Sequence, residues 1–184
     1  MSHSPPRCAA PLIASLESIS GRAEHPLEAR SLNRASAIRD AWSLGAEGVR
    51  PLLEVVADTD GGAARAAREA LEQIVTHAAR PGAEHEAGAV STALWEIARS
   101  TMRIPARRYA VHLLGVVGGA SRCRQLGALL EVEELREDVR LALIRMPDSS
   151  ADEVLREARS RAKGSFRTSL DQALLQRSRG RAVR

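Results

Sequence analysis

Aromatic residues are nearly absent from this chain, which has four of them among its 184 residues: Trp42, Trp95, Tyr109 and Phe166. A chain of this length is long enough to bury a core, and that core must be built from alanine, leucine, valine and isoleucine. Such a composition suits helices that approach each other closely through small side chains. It argues against a large ligand pocket and against a platform on which nucleic-acid bases stack.

Cysteines and long apolar runs are also scarce. The two cysteines, Cys8 and Cys123, lie far apart, which favours reduced thiols over a disulfide framework. No run approaches the roughly 20 apolar residues that span a bilayer. The short apolar stretch 8–16 is interrupted by Glu17 and is followed by no credible cleavage site. The sequence therefore predicts a soluble, cytoplasmic protein without membrane association.

A ten-residue pattern recurs five times along the chain, beginning at Arg34, Ala63, Ala106, Leu135 and Phe166. The copies read RASAIRDAWS, AARAAREALE, ARRYAVHLLG, LREDVRLALI and FRTSLDQALL. In every copy the fifth, eighth and ninth positions are apolar, and with the first position they share one face of a helix. The starts are 29, 43, 29 and 31 residues apart, which is typical of helical repeat arrays.

The ninth position of the pattern predicts one buried side chain per repeat. It is a tryptophan in the first copy and a leucine in each later one. We expect these residues to pack between neighbouring helical hairpins. They are Trp42, Leu71, Leu114, Leu143 and Leu174.

A second amphipathic segment precedes each of the four later copies and predicts a partner helix. These segments are GVRPLLEVV, STALWEIAR, RCRQLGALL and SADEVLREA. Pro105 suits the start of a helix, Gly164 separates the last two helices, and Ser150 with Glu153 has the spacing of a capping box. No stretch shows the alternation of a strand, so the predicted fold class is all-α.

The domain organisation follows from these elements. Residues 1–10 are predicted to be a mobile N-terminal segment, residues 11–178 the repeat array, and residues 179–184 a basic C-terminal tail. The 43-residue spacing indicates an insert at 76–87, THAARPGAEHEA, which predicts a loop. Such a loop is either a tolerated insertion or a binding element.

The repeats resemble the HEAT-repeat family. AWSLGAEGVRPLLEVV (41–56) is similar to the family's first helix, and ARRYAVHLLG and AARAAREALE to its second, over residues 27–178 in all. The resemblance implies a right-handed α-solenoid of about five HEAT-like hairpins, with the repeating helices along its concave face. The family's inter-repeat ladder uses an arginine at the second position, which is present as Arg107, Arg136 and Arg167 but replaced by alanine in the two earlier copies.

The sequence does not contain the catalytic residue patterns of known enzymes with a HEAT-like architecture. Deoxyhypusine hydroxylase, which is similar in architecture, holds two irons with several His-Glu pairs, whereas the only such pair here is His85-Glu86. His77 and His85 share the insert, where a solvated loop is favoured over a metal pair, and no histidine has zinc-ligand spacing. Asp138 is interpreted as a flank carboxylate near Arg107 or Arg136. The bilin-attaching HEAT-like lyases, a third alternative, need a buried apolar groove for the chromophore, and the small, aromatic-poor composition argues against one. We therefore expect no enzyme and no cofactor.

Positive charge is unevenly distributed. From Arg156 to the end there are nine basic and two acidic residues, and 97–130 holds six arginines and no acid. One explanation is a general preference for arginine, since Lys163 is the only lysine. The other is an anionic partner, either an acidic protein or nucleic acid, at the C-terminal helices.

The function predicted from the sequence is a non-catalytic protein-binding scaffold or adaptor. Its candidate contact residues lie off the packing stripe and carry mixed charge, which suits another protein, including an acidic one, better than uniform phosphate. They are Arg65, Arg68, Glu69, His112, Arg136, Glu137 and Arg140. The alternative is a nucleic-acid-associated protein that binds the duplex backbone through the basic C-terminal region. The oligomeric state is left open.

Overall fold

The computed structural model describes residues 41, 44–58 and 61–182, and their regular structure is helical, without a strand. A short 3-10 turn, Gly45–Gly48, precedes eight α-helices in this part of the chain. They are α1 (Val49–Asp58), α2 (Gly62–Ala78), α3 (Glu84–Ala98), α4 (Ile104–Val117), α5 (Ala120–Leu129), α6 (Arg136–Arg145), α7 (Ser150–Arg161) and α8 (Gly164–Ala182). The all-α prediction is confirmed for these residues, and none of the described helices is long and apolar enough to cross a membrane. Trp42, the segment 1–10 and the first repeat before Ala41 lie outside the described residues.

The helices pack in sequential pairs: α1 with α2, α3 with α4, α5 with α6, and α7 with α8. The second helices of these pairs also contact one another in chain order, from α2 through α4 and α6 to α8. Among the first helices, α1 contacts α3 and α5 contacts α7, while α1 also packs against α4. The four later copies of the repeat therefore lie on helices that are neighbours in space.

The apolar stripe of the repeat forms the core, as predicted. The fifth, eighth and ninth positions of the four later copies are buried with one exception. The partner helices bury their own stripes against them, including Leu52, Leu94, Leu126 and Leu155. The exception is Leu174, which is half-buried although we expected it to be buried. It lies on α8, which packs against α6 and α7 through Leu170 and Ala173 and leaves Leu174 at the edge of the contact.

Two glycines allow the helices to approach closely. A Cβ atom at Gly115 of α4 would lie 3.0 Å from the Cα atom of Ala142 in α6. A Cβ atom at Gly127 of α5 would lie 3.0 Å from Cγ1 of Val154 in α7. Glycine thus allows close approach both between the second helices α4 and α6 and between the first helices α5 and α7.

The segment 76–87 is not a loop, contrary to the sequence prediction. Helix α2 continues to Ala78 and α3 begins at Glu84, so only five residues connect them. Arg80 stabilises this short connection by bonding to residues on both helices. Its guanidinium donates to the carbonyl of His77 at 2.6 Å and to both carboxylate oxygens of Glu86 at 2.8 and 2.9 Å. The additional residues between the second and third copies therefore lengthen two helices.

The start of α7 also differs from the predicted capping box. Ser150 is the first residue of the helix, and Ser149 before it makes no side-chain capping bond. The carboxylate of Asp148 instead accepts the N–H of Ser150 at 2.8 Å. Hydrogen bonding with the Ser150 side chain, followed by that with its N–H, lowers the pKa of Asp148. An aspartate two residues upstream thus satisfies a free amide at the helix start.

Arg177, which the sequence placed in the basic C-terminal block, is buried within α8, with 8% of its surface exposed. Its Nε atom donates to Oδ1 of Asp152 in α7 at 2.6 Å. Its Nη1 atom donates to the carbonyls of Leu143 and Met146 at 2.6 and 2.5 Å, and its Nη2 atom to the carbonyl of Asp148 at 2.7 Å. The last carbonyls of a helix have no partner within that helix. Arg177 supplies these partners for α6 and joins α6, α7 and α8.

Replacing Leu143 by alanine should lower the free energy of unfolding by about 2–5 kcal/mol, because it removes a fully buried side chain and leaves a cavity. Leu141→Ala, two residues away on the same helix and 47% exposed, is the matched control and should change it by no more than about 0.5 kcal/mol. Urea denaturation measures both. Equal losses of stability in the two variants would show that the apolar stripe of the repeat does not form the core.

Arg177→Met should lower the free energy of unfolding by about 3–5 kcal/mol, because it removes the guanidinium that pairs with the buried carboxylate of Asp152 and donates to several buried carbonyls. Arg179→Met removes the same group from an exposed position on the same helix and should have little effect. The same urea denaturation measures this pair. Indistinguishable stabilities would contradict the capping role of Arg177.

Candidate partner-binding face

Tyr109 joins α4 to α2. Its hydroxyl donates to Oε1 of Glu72 at 2.9 Å, and the guanidinium carbon of Arg68 lies 5.9 Å from the centre of its ring. Burial, followed by the hydrogen bond to Glu72, raises the pKa of Tyr109, so its hydroxyl remains a protonated donor. Tyr109 is partly buried, and these contacts give it a fixed orientation.

His112 continues this set of contacts from Tyr109 to α6. The two rings stack with their centres 5.7 Å apart and their planes 7° from parallel. From α6, Nη1 of Arg145 lies 3.1 Å from Nδ1 of His112, and Nη2 donates to the His112 carbonyl at 3.0 Å. Because arginine can only donate, Nδ1 must accept, which places the imidazole proton on Nε2. Burial and the charge of Arg145 lower the pKa of His112, which favours the same neutral form.

Arg108 makes a second connection between α4 and α6. Its Nε atom donates to the carbonyl of Glu134 at 2.9 Å and lies 3.5 Å from Oδ2 of Asp138. The sequence placed Asp138 near Arg107 or Arg136, and the structure corrects this pairing to Arg108. Arg107 turns the other way and donates to the carbonyl of Ala98 at the end of α3.

Exposed apolar side chains border these contacts. Val116 lies four residues after His112 on α4, and Leu141 lies four residues before Arg145 on α6, so each shares a helix face with its neighbour. They are 51% and 47% exposed and are two of the three large apolar residues that are exposed in the described part of the chain. We call this surface the α2–α4–α6 face. It comprises Arg68, Glu72, Arg108, Tyr109, His112, Val116, Asp138, Leu141 and Arg145.

The predicted contact residues fall into separate groups. Arg68 and His112 both contact Tyr109, and the structure brings them together. Arg65 and Glu69 lie beside them on α2, exposed and half-buried respectively. The other three lie on α6 and make other contacts. Arg136 packs on the ring of Phe166, and Glu137 pairs with Arg140, whose side chain is only 16% exposed.

Seven of the nine residues of the face were not among the contact residues selected from the sequence, and three of these seven are Tyr109, Glu72 and Arg145. A signal for the first was available, because Tyr109 is the only tyrosine and occupies the fourth position of its copy, where α2 has Ala66. Glu72 and Arg145 resemble many other charged residues in the sequence. Their roles depend on how far apart the helices pack.

Groups with possible chemical roles are engaged in structural contacts. The hydrogen bonds from Arg80 lower the pKa of Glu86, and Nε2 of His77 lies 3.9 Å from the same carboxylate. In residues 41, 44–58 and 61–182, no group of three or more histidine, cysteine or acidic residues could hold a metal ion. Cys123 is a buried, free thiol whose sulfur lies 3.6 Å from the sulfur of Met146. Burial raises the pKa of this thiol. A protonated, buried thiol is a poor nucleophile.

Comparison with known proteins adds no family assignment. No protein-family model matches the sequence, and no curated protein or solved structure is significantly similar to it. The functional argument therefore depends on the contacts, burial and charge described above.

The pKa of His112 should lie below 6.5, and Arg145→Gln should raise it, because that change removes the neighbouring positive charge. NMR titration of the imidazole measures both values, and Arg140→Gln, which alters a guanidinium paired with Glu137, is the control. A depressed histidine pKa favours the neutral form in the folded state. Its contribution to stability is therefore complete above pH 6.5 and is lost as the pH falls through the folded-state pKa. A His112 pKa equal to the ordinary histidine value would contradict the partly buried environment beside Arg145.

Proposed function

We propose that this protein is a non-catalytic scaffold that binds a partner protein through the α2–α4–α6 face. The main observation in support is the series of contacts from Glu72 through Tyr109 and His112 to Arg145, which links side chains of three helices. Side chains held in place before binding lose less conformational entropy when the complex forms. This observation supports a preformed contact surface.

The composition of the face also supports a protein partner. Tyrosine and arginine are enriched at protein interfaces, and both are present here beside exposed Val116 and Leu141. The charges alternate in sign, as in Arg108 beside Asp138. A surface of mixed charge complements a protein better than it complements the uniform negative charge of a nucleic-acid backbone.

The architecture belongs to the same proposal: a right-handed, HEAT-like α-solenoid whose concave side carries the α2–α4–α6 face. The paired helices and the contacts among α2, α4, α6 and α8 in chain order support it. Solenoids offer long, preformed surfaces of this kind. The proposal also holds that the protein catalyses no reaction and that it is located in the cytoplasm.

The nucleic-acid alternative depends on free positive charge, and the structure shows several arginines already engaged. In the C-terminal block, Arg177 is buried and Arg159 pairs with Asp171. In the block 97–130, Arg108 pairs with Asp138 of α6, and Arg122 donates to Ser91 of α3. These contacts favour the protein-binding interpretation.

The double substitution Val116→Glu with Leu141→Glu should abolish crosslinking of the partner protein to α4 and α6, because it places charge in the apolar part of the face. Leu175→Glu, at an equally exposed leucine on α8, is the matched control and should leave the crosslinks unchanged. Crosslinking followed by mass spectrometry identifies the contact residues, and thermal unfolding confirms that each variant is folded.

Two outcomes would contradict the scaffold proposal. One is a crosslinking pattern that the double substitution does not alter. The other is tight binding of duplex DNA whose log affinity falls against log salt with a slope of about −0.9 per neutralised phosphate, which would favour the nucleic-acid alternative.

A further inference from the structure

A cleft of about 360 Å³ opens where the connection between α5 and α6 meets the turn between α7 and α8. Its apolar lining comes from Leu130, Ala158, Ala162 and Phe166, and its polar lining from Arg136, Arg161, Lys163 and Glu131. The volume lies at the lower end of the range of binding pockets. It is large enough for one apolar side chain with a neighbouring polar group.

Phe166 positions one of the cations in this cleft. The guanidinium carbon of Arg136 lies 4.9 Å from the centre of the Phe166 ring. An arginine stacked on a ring keeps its N–H edge available for a carboxylate. The carboxylate of Glu133 approaches Arg136 only to 3.5 Å, beyond the usual hydrogen-bond distance, and is largely exposed.

The other two cations are also weakly held. Lys163 is exposed, and its ammonium group forms no ion pair within the described residues. Arg161 lies 3.6 Å from Glu131 and 3.1 Å from Glu157, and all three side chains are more than half exposed. Exposed pairs of this kind contribute little to stability, so an incoming carboxylate can replace them. The lining therefore carries three positive charges and one negative charge beside an apolar surface.

We propose that this cleft binds an acidic and apolar segment of the partner protein, in which a leucine-like side chain lies next to aspartate or glutamate. The apolar side chain packs on Leu130 and Phe166, and the carboxylate accepts hydrogen bonds from Arg136 and Lys163. A phosphate group would leave the apolar lining empty, and a purely apolar segment would leave the cations without a partner. The inference rests on the proposed scaffold function and identifies the chemistry of one segment of its partner.

The test uses a synthetic peptide, acetyl-Ser-Asp-Leu-Asp-Leu-Gly-amide, titrated into the full chain labelled with ¹⁵N. We expect a Kd below about 1 mM, with chemical-shift changes concentrated at residues 130–136 and 158–167. Replacing both aspartates by asparagine, or both leucines by glycine, should each weaken binding by about tenfold or more. Absence of saturable shifts, or shifts centred elsewhere, would overturn the proposal. Equal binding of the glycine peptide would also overturn it, because it would indicate a simple anion site.

Variants of the protein separate this cleft from the α2–α4–α6 face. Lys163→Glu, at an exposed residue, should weaken peptide binding about tenfold, and Phe166→Leu should weaken it while keeping an apolar core residue. Arg156→Glu on α7 lies outside the cleft lining and should bind the peptide as the unaltered chain does. Unchanged affinity in Lys163→Glu would overturn the proposal.

Partner crosslinking distinguishes failure of this inference from failure of the proposed function. If Lys163→Glu leaves partner affinity unchanged while Val116→Glu with Leu141→Glu abolishes it, the scaffold function stands and the cleft proposal fails. If the peptide binds the cleft but no partner protein depends on either surface, the scaffold function fails. Displacement of the peptide by a short DNA duplex, with the same residues shifting, would assign the cleft to nucleic acid and overturn the inference.

Discussion

Burial of one apolar stripe per repeat is the constraint on which the rest of this structure depends. In a chain with so few aromatic residues, each helix must hide small aliphatic side chains, and it can do so only by close contact with its neighbours. The contact between Gly115 and Ala142 shows how close α4 and α6 come. This short separation determines which surface side chains reach from one helix to the next.

The α2–α4–α6 face is a consequence of that separation. Tyr109 reaches Glu72 on one side, and Arg145 reaches His112 on the other, because the helices that carry them are held together by the core beneath. The depressed pKa of His112 and the raised pKa of Tyr109 have the same origin, since partial burial disfavours the charged form of each group. Packing, electrostatics and the proposed binding surface are therefore linked.

The periodic features of the fold were predictable from the sequence, and the non-periodic ones were not. The stripe, the partner helices and the helix start at Pro105 follow from local spacing. The turn braced by Arg80 and the cap supplied by Asp148 depend on side-chain contacts that spacing alone does not specify. Of the predicted contact residues, the structure brings Arg68 and His112 together through Tyr109, which was not itself selected from the sequence.

Arg177 shows where a sequence signal was present but was read as surface charge. The twelfth position from the start of the second, third and fourth copies is Ile74 in α2, Val117 in α4 and Met146 just after α6, and all three are buried. An arginine at this position in α8 therefore indicated a buried cation that needs partners, which the carbonyls of α6 and Asp152 provide. The basic character of the C-terminal region is correspondingly lower at the surface than a count of its residues suggests.

The central claim is that contacts across α2, α4 and α6 create a preformed surface for a protein partner. Hydrogen–deuterium exchange of the full chain, with and without the crosslink-identified partner, tests it most directly. The account predicts that the partner slows exchange in residues 65–76, 108–117 and 138–145. Slower exchange confined to α7 and α8, or none in the three helices of the face, would contradict it.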